Sequence, residues 1–532
     1  MLKTKDTQMS FNDADYLCST LIPEDSFYRK FRDIVSPLIQ DETFQDMYVL
    51  DNGRPAIPPS LLAMATILQF YRNLSDRDME RACMYDIEIK YALGLRIDDR
   101  PFDHSSLGDF RKRLLEHGKE KQVFDKILNK LVESGLIKKN EIQRIDATHI
   151  IADIAIPTVI TLVKKGVFEI LKSLQKRHKE IILKIQSRID LSEYTKENIN
   201  YSDAGNEDLQ RRQRRLVEVV EDAFILLRYV GSIKGDTILE RRVDLLRRLL
   251  RENIAHDKYG EAHEFGPKEK PKDMLVSPID PDARYGAKSK TKKFVGYKAN
   301  VTEEIGNRFI TNIKAMPGNQ LDGRTAVEAI TEQKEQDIKP VKVIGDSAYS
   351  DGAYRKSLKE ENIQMIAPQR LKNDMTKGVY PKTAFTYDKE NKKLICPEGK
   401  ISHMTSYHYQ KKIAIFHFSM PVCQKCPSKV YCTRDKNGRR TVGISDVQDE
   451  IFEAERYNQT EEFKTYMRLR PPIEGKLSEL TRYHGLRRAR YRGLSKIGLQ
   501  CYFTATAVNI KRWIRIIIEQ IKASPPLALV PV

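Results

Sequence analysis

No apolar run in this 532-residue chain approaches the roughly 20 residues that span a bilayer, and its opening, MLKTKDTQMSFNDADY, has no hydrophobic leader core. These absences argue against membrane insertion and secretion and make the cytoplasm the expected location. Cysteine is scarce. Seven residues (Cys18, Cys83, Cys396, Cys423, Cys426, Cys432, Cys501) are an odd number, which favours reduced thiols or a metal site over disulfides. Acidic charge falls short of basic: 92 Lys and Arg against 74 Asp and Glu leave +18 at neutral pH. An excess of that size favours a polyanionic partner, with nucleic acid the natural candidate, although a basic protein without such a partner would show the same balance. The length predicts about two to four structural units.

Residues 1–140 read as all-helical. Pro58-Pro59-Ser60 precedes Leu61, Ala65 and Leu68 at helical spacing, Ser75 with Asp78 forms a capping-box start, and Ser105-Ser106 opens a further helix carrying Arg111, Lys112 and Arg113. Short helices ending in a basic one suit a helix-turn-helix-like DNA-binding module, and equally a packing domain with a solvated basic face. The run EIQRIDATHIIADIAIP (141–157) is β-branched and apolar with Asp146 inside it, where an acid is costly without a cation or a hydrogen-bonding partner. His149 and Asp153 read as a satisfied core histidine and a strand-end aspartate. Residues 158–261 return to long helices with three apolar stripes: Val167, Leu171, Leu174, Ile181 and Ile185; Leu216, Val220, Phe224 and Leu227; Leu239, Val243, Leu246 and Leu250. Tyr201 to Asn206 reads as a connection within this insertion.

Beyond a polar linker (262–282) the pattern becomes α/β. Strands are expected at 293–302, 309–315, 342–346 and 364–367, and helices at 322–336 and 351–362. With the Asp146 strand first, the order is β-β-β-α-β-α-β, that of the ribonuclease-H-like fold. Its first and fourth strands are neighbours, so Asp146 would meet Asp346, the acid at the Gly-flanked strand end Val343-Ile344-Gly345-Asp346. Residues 371–445 hold strand-like pieces and the spacing Cys423-x2-Cys426, with Cys432 and Cys396 able to complete a four-thiolate zinc site; reduced, partly buried thiols would fit the same residues. Arg470-Pro471-Pro472-Ile473-Glu474 enters a helix with Glu474 in its first turn. Arg482, Arg487, Arg488, Arg490 and Arg492 follow, interleaved with aromatics, as phosphate contacts would be.

Taken together, PPSLLAMATILQFYRNLSDRDMERAC, HSSLGDFRKRL, IDATHI, GYKANVT, PGNQLDG, VIGDSAYSD, the cysteine segment and HGLRRARYRGLSK with AVNIKRW resemble the DDE transposases of bacterial insertion sequences. The resemblance implies an α/β ribonuclease-H-like core with a mixed five-stranded sheet (141–157, 262–370 and 446–522), an all-helical N-terminal DNA-binding domain (1–140), a helical insertion (158–261) and a β-rich cysteine-containing insertion (371–445). It implies that Asp146, Asp346 and Glu474 are the catalytic acids. Two Mg²⁺ or Mn²⁺ ions would be held by them, and the cysteines could hold one structural Zn²⁺ besides. The expected partners are double-stranded DNA with terminal inverted repeats and target DNA, the expected assembly a homodimer on DNA, and the location the nucleoid. The Tyr-x2-Arg-x3-Glu-x6-Lys signature of such enzymes is matched at Arg470 and Glu474, whereas Met467 stands at the Tyr position beside Tyr466, and Thr481 at the Lys position beside Arg482. Glu479 and Asp351, the competing acids, read as a helix-surface residue and a helix cap. A nuclease of the same fold that joins no strands, or a DNA-binding relic, are the alternatives.

Overall fold

The helix Pro59–Arg72 sits at the centre of the N-terminal region. Proline at its first position costs no hydrogen bond there, and Asn73 in the left-handed region stops it. Its residues from Pro59 to Phe70 are all buried, because other helices surround it. In the computed structural model, which describes residues 10–49, 56–154, 158–197, 209–231, 233–266, 269–271, 273–288, 291–369 and 378–523, these neighbours are Phe27–Val35, Asp76–Tyr85, Ile87–Leu93 and His104–Glu116. The Ser75–Asp78 capping box forms as expected, while the helix expected to open at Ser105 is capped slightly earlier, by the Asp103 carboxylate accepting from the Ser105 N–H. The C-terminal helix Leu494–Ala523 packs against Pro59–Arg72, with Phe70 stacked on Phe503, and it also contacts Phe27–Val35, His104–Glu116, Gln122–Glu133 and the central sheet. The N-terminal helices therefore share one hydrophobic core with that sheet.

The central sheet is mixed. It consists of β1 (Gln143–Ile151), β4 (Arg284–Ala287), β5 (Lys293–Glu304), β6 (Ile310–Pro317), β7 (Lys342–Ile344) and β8 (Gln364–Ile366), while β2 (Ile254–His256) and β3 (Ala262–Glu264) form a separate hairpin. The order is β4-β5-β1-β7-β8, with β6 also on β5; β1, β7 and β8 run parallel and the other pairs antiparallel. The sheet has six strands rather than the expected five. The extra one, β4, is a four-residue stretch containing Arg284 and Gly286, too short and too polar for a strand signal. Successive side chains on a strand face opposite ways. Val343 accordingly joins the cluster with Ile145, Tyr349 and Leu358, while Ile344 faces Phe463 of the helix Glu461–Met467. The helix expected over 322–336 is instead a chain of short pieces, 3₁₀ at both ends and α only over Ala326–Thr331.

Helices Val159–Arg177, Lys179–Ile185, Leu209–Val230 and Thr237–Asn253 bury the predicted stripes in a cluster of their own. Phe224 is the exception, 40 % exposed, because Ala223 and Leu226 take the inward positions on its helix. The connection expected at Tyr201 to Asn206 lies outside the described residues. Further on, β9 (Thr386–Asp388), β10 (Lys393–Ile395), β11 (Ile401–His408), β12 (Ile413–His417) and β13 (Thr441–Ser445) make an antiparallel sheet in the order β13-β12-β11-β10-β9. No helix among the described residues is long and apolar enough to cross a membrane.

Candidate active site

The parallel pairing of β1 with β7 matches Gln143 to Val343 and Arg144 to Ile344. Continued two residues in the same register, it sets Asp146 beside Asp346, although 200 positions separate them in the chain. Asp146 falls on the face of the sheet that carries Ile344, and Asp346 stands just past the end of β7. Asp146 Oδ1 accepts from the Ala147 N–H at 2.8 Å, and burial pushes its carboxyl up to about 6, with Asp346 and Asp322 adding repulsion and Arg470 opposing it. Asp346 Oδ1 accepts from the Ala348 N–H at 2.7 Å, which caps the turn Ser347–Tyr349 and fixes the carboxylate at the strand end. Beneath lies fully buried Tyr349, its hydroxyl donating to Asn300 Oδ1 at 3.1 Å and held protonated by burial and by the charges of Asp146, Asp322 and Asp346.

Asp322 is thus a further aspartate whose charge is felt at Asp146, and sequence reasoning missed it. It lies in the PGNQLDG stretch after β6 and pairs with Lys298 Nζ at 2.8 Å. The one available signal was an acid within a stretch already singled out, but Asp beside Gly reads first as a turn former.

Glu474 arrives on the helix Pro472–Arg482, in its first turn, with its side chain 67 % exposed. Arg470 ties it to the sheet: Nη2 lies 3.0 Å from Asp146 Oδ2 and Nη1 3.2 Å from Glu474 Oε1. At the incomplete signature positions, Met467 packs with Ile344 and Ile366, and Tyr466 accepts from Lys342 Nζ at 2.7 Å. Thr481 turns its hydroxyl to the Leu477 carbonyl. Of the competing acids, Asp351 caps the helix Gly352–Glu360 through the Ala353 N–H. Glu479 is held by Lys511 at 2.7 Å and Lys476 at 3.4 Å, so it is an ion-paired residue between helices rather than a plain surface one.

Carboxylate oxygens are the hard donors that Mg²⁺ and Mn²⁺ prefer, and here a strand, a strand end and a helix start each supply one carboxylate, with Arg470 contacting two of them. Among the described residues, the group whose ligand atoms all lie within 4.8 Å of one another is a different one, Glu80, Asp103 and His104. That group is accounted for by His104 Nδ1, 3.0 Å from Glu80 and 3.3 Å from Asp103 at a helix start.

Residues 17–113 match a family described as a transposase domain, and residues 395–514 match the transposase DDE domain. Together the two matches support a DDE transposase of insertion-sequence type. Glu474 lies inside the second matched stretch, and Asp146 and Asp346 outside both. Comparison with curated proteins and with solved structures returned no match.

The transposase kinship implies a DNA substrate, and the arginines expected to meet it divide sharply. Arg482, Arg488 and Arg492 are exposed, as is Lys112, which pairs with Glu116 one turn on. Arg111 is not at the surface as expected: it is buried, pairs with Asp76 and lies over the Tyr491 ring. Arg113 lies over Tyr48. Arg490 also turns inward, donating to the Leu74 carbonyl and Asn73 Oδ1 at 2.6 Å each, and Arg487 donates to the His149 carbonyl at 2.7 Å. Arg111, Arg490 and Arg487 are staples between the N-terminal helices, β1 and the C-terminal segment. Cys396, Cys423, Cys426 and Cys432 line one cavity at the end of the antiparallel sheet, where the Lys400 N–H donates to Cys396 Sγ at 3.3 Å. Burial and the three other thiols push the Cys432 thiol up.

Proposed function

We propose that the chain is the transposase of an insertion sequence, which binds the element's ends, cleaves there and joins the freed 3′ ends to target DNA. The observation that supports this is the arrangement around Asp146: the β1–β7 register, continued, runs to Asp346, and Arg470 contacts both Asp146 and Glu474. The strand order β6-β5-β1-β7-β8, third-second-first-fourth-fifth once β4 and the β2–β3 hairpin are set aside, supports a ribonuclease-H-like core.

Asp146, Asp346 and Glu474 would hold two Mg²⁺ or Mn²⁺ ions, which activate an oxygen nucleophile and stabilise the leaving oxygen in phosphodiester chemistry. Asp146, central and desolvated, Asp346, fixed by its turn, and Glu474, on an exposed helix start, would be the residues that hold them. Arg470 cancels charge between the two acids it touches and positions Glu474. Water is the nucleophile for cleavage and a freed 3′-hydroxyl for joining. The exposed Arg482, Arg488 and Arg492 meet phosphates beside the acids, the N-terminal helices read the ends, two copies act together on DNA, and the four cysteines hold one structural zinc. The test is a plasmid carrying two element ends, incubated with the protein and Mg²⁺. Joined products are expected, and nicks or breaks without any joined product would mark a nuclease instead.

A further inference from the structure

Under the turn that carries Arg470 and Glu474 lies a carboxylate with no part in the chemistry above. Glu303 on β5 is completely buried, at the point where the β5–β6 register shifts. A buried carboxylate is costly unless cations surround it. Three do: Arg308 Nε at 3.1 Å, Arg144 Nε at 3.4 Å and Lys476 Nζ at 3.9 Å. Two of them reach onward to the turn. Arg144, two residues before Asp146 on the same face of β1, donates from Nη1 to the Leu469 carbonyl at 2.9 Å, and Arg308 donates from Nη2 to the Pro472 carbonyl at 2.8 Å. Lys476 belongs to the helix that begins at Pro472. The carbonyls on both sides of Arg470-Pro471 are thus held by guanidinium groups that are themselves held by one buried acid.

We propose that Glu303 is a positioning residue, which through Arg144 and Arg308 fixes the Leu469–Pro472 backbone and so sets where Arg470 and Glu474 stand relative to Asp146. The inference rests on the functional reading above only in what it says of those acids. Glu303→Gln keeps the shape and removes the charge. Hydrogen–deuterium exchange of the segment spanning residues 469–474 should then quicken by about tenfold with the peptides of β5 and β6 unchanged. The Mn²⁺ concentration for half-maximal cleavage should rise by a similar factor, with activity partly restored at high Mn²⁺, a response that general loss of folded protein would not give. Arg308→Asn tests the same link more gently. Arg308 is half-exposed and has φ of 66°, a conformation Asn tolerates, so the variant loses the Pro472 hydrogen bond while Glu303 keeps Arg144 and Lys476. It should shift both readouts in the same direction. Should Glu303→Gln fail to fold, Arg308→Asn decides. Wild-type exchange at 469–474 and wild-type Mn²⁺ dependence in the folded variants would overturn the proposal. The exchange measurement needs neither DNA nor metal, so a wild-type protein that cuts nothing would sink the functional reading and leave this inference to be judged by itself.

Discussion

Arg470 Nη2 stands 3.0 Å from Asp146 Oδ2, a pairing that closes a span of 324 residues. It places a cation between acids that would otherwise repel, and it links β1 to the first turn of the helix bearing Glu474.

If Asp146, Asp346 and Glu474 act together, then Asp146→Asn, Asp346→Asn and Glu474→Gln should each reduce cleavage of an element-end duplex by about 10³-fold or more, with end binding retained. Cleavage and gel-shift assays on one preparation check this. Full activity in both aspartate variants would remove the mechanism, and an active Glu474→Gln beside an inactive Glu479→Gln would move the third acid.

Asp146 also makes a stability prediction. Its folded-state pKa, about 6, lies above the ordinary 3.8, so ionisation opposes folding. The penalty is absent below about pH 4, grows through the interval to pH 6 and is complete above it. That displacement corresponds to at most ~3 kcal/mol, less whatever Arg470 loses with its partner. In EDTA, Asp146→Asn should therefore melt higher than wild type at pH 8 and at the same temperature at pH 4. A lower Tm at pH 8 would mean that Arg470 compensates the buried charge fully.

The three acids were legible because each broke a local pattern: Asp146 sits in a β-branched run, Asp346 at a Gly-flanked strand end, Glu474 after two prolines at a helix start. The approach of Asp346 to Asp146 was legible through strand order, since a parallel neighbour later in the chain carries the second acid to the height of the first. Asp322 and Glu303 were not. Asp322 lies in a Gly- and Asn-containing turn where aspartate is ordinary, and Glu303 ends a long strand where an acid reads as solvent-facing; its burial is made tolerable by Arg144 and Lys476, 159 residues or more away in the chain. The inward arginines failed for a related reason. Residues 483–493 form no regular helix, so no periodicity tells Arg490, which turns in, from Arg488, which turns out.

That division changes how DNA binding should be probed. Arg482→Gln with Arg488→Gln and Arg492→Gln should weaken binding to all sequences and flatten the dependence of log Kd on log salt by about 0.9 for each phosphate no longer neutralised, leaving Tm unchanged. Arg490→Ala should instead destabilise the fold by ~1–3 kcal/mol, because the Leu74 carbonyl and Asn73 lose their donor. Equal salt slopes for the triple variant and wild type would show that the exposed arginines face solvent only.

The last prediction concerns the cysteines. Four thiols line one cavity, although no three of their sulfurs stand within 4.8 Å of one another, so a closed thiolate zinc site would draw them together and contribute folding energy to the small sheet it joins. Purified protein should carry about one zinc per chain. Stripping it with a strong chelator should lower the protection of β9 to β13 from hydrogen exchange, while that of β1 and β5 stays as it was, because the antiparallel sheet has its own hydrophobic cluster. Cys423→Ser with Cys426→Ser should reproduce the loss without chelator. Less than about a tenth of an equivalent of zinc in protein never exposed to chelator would leave the four cysteines as reduced, partly buried thiols.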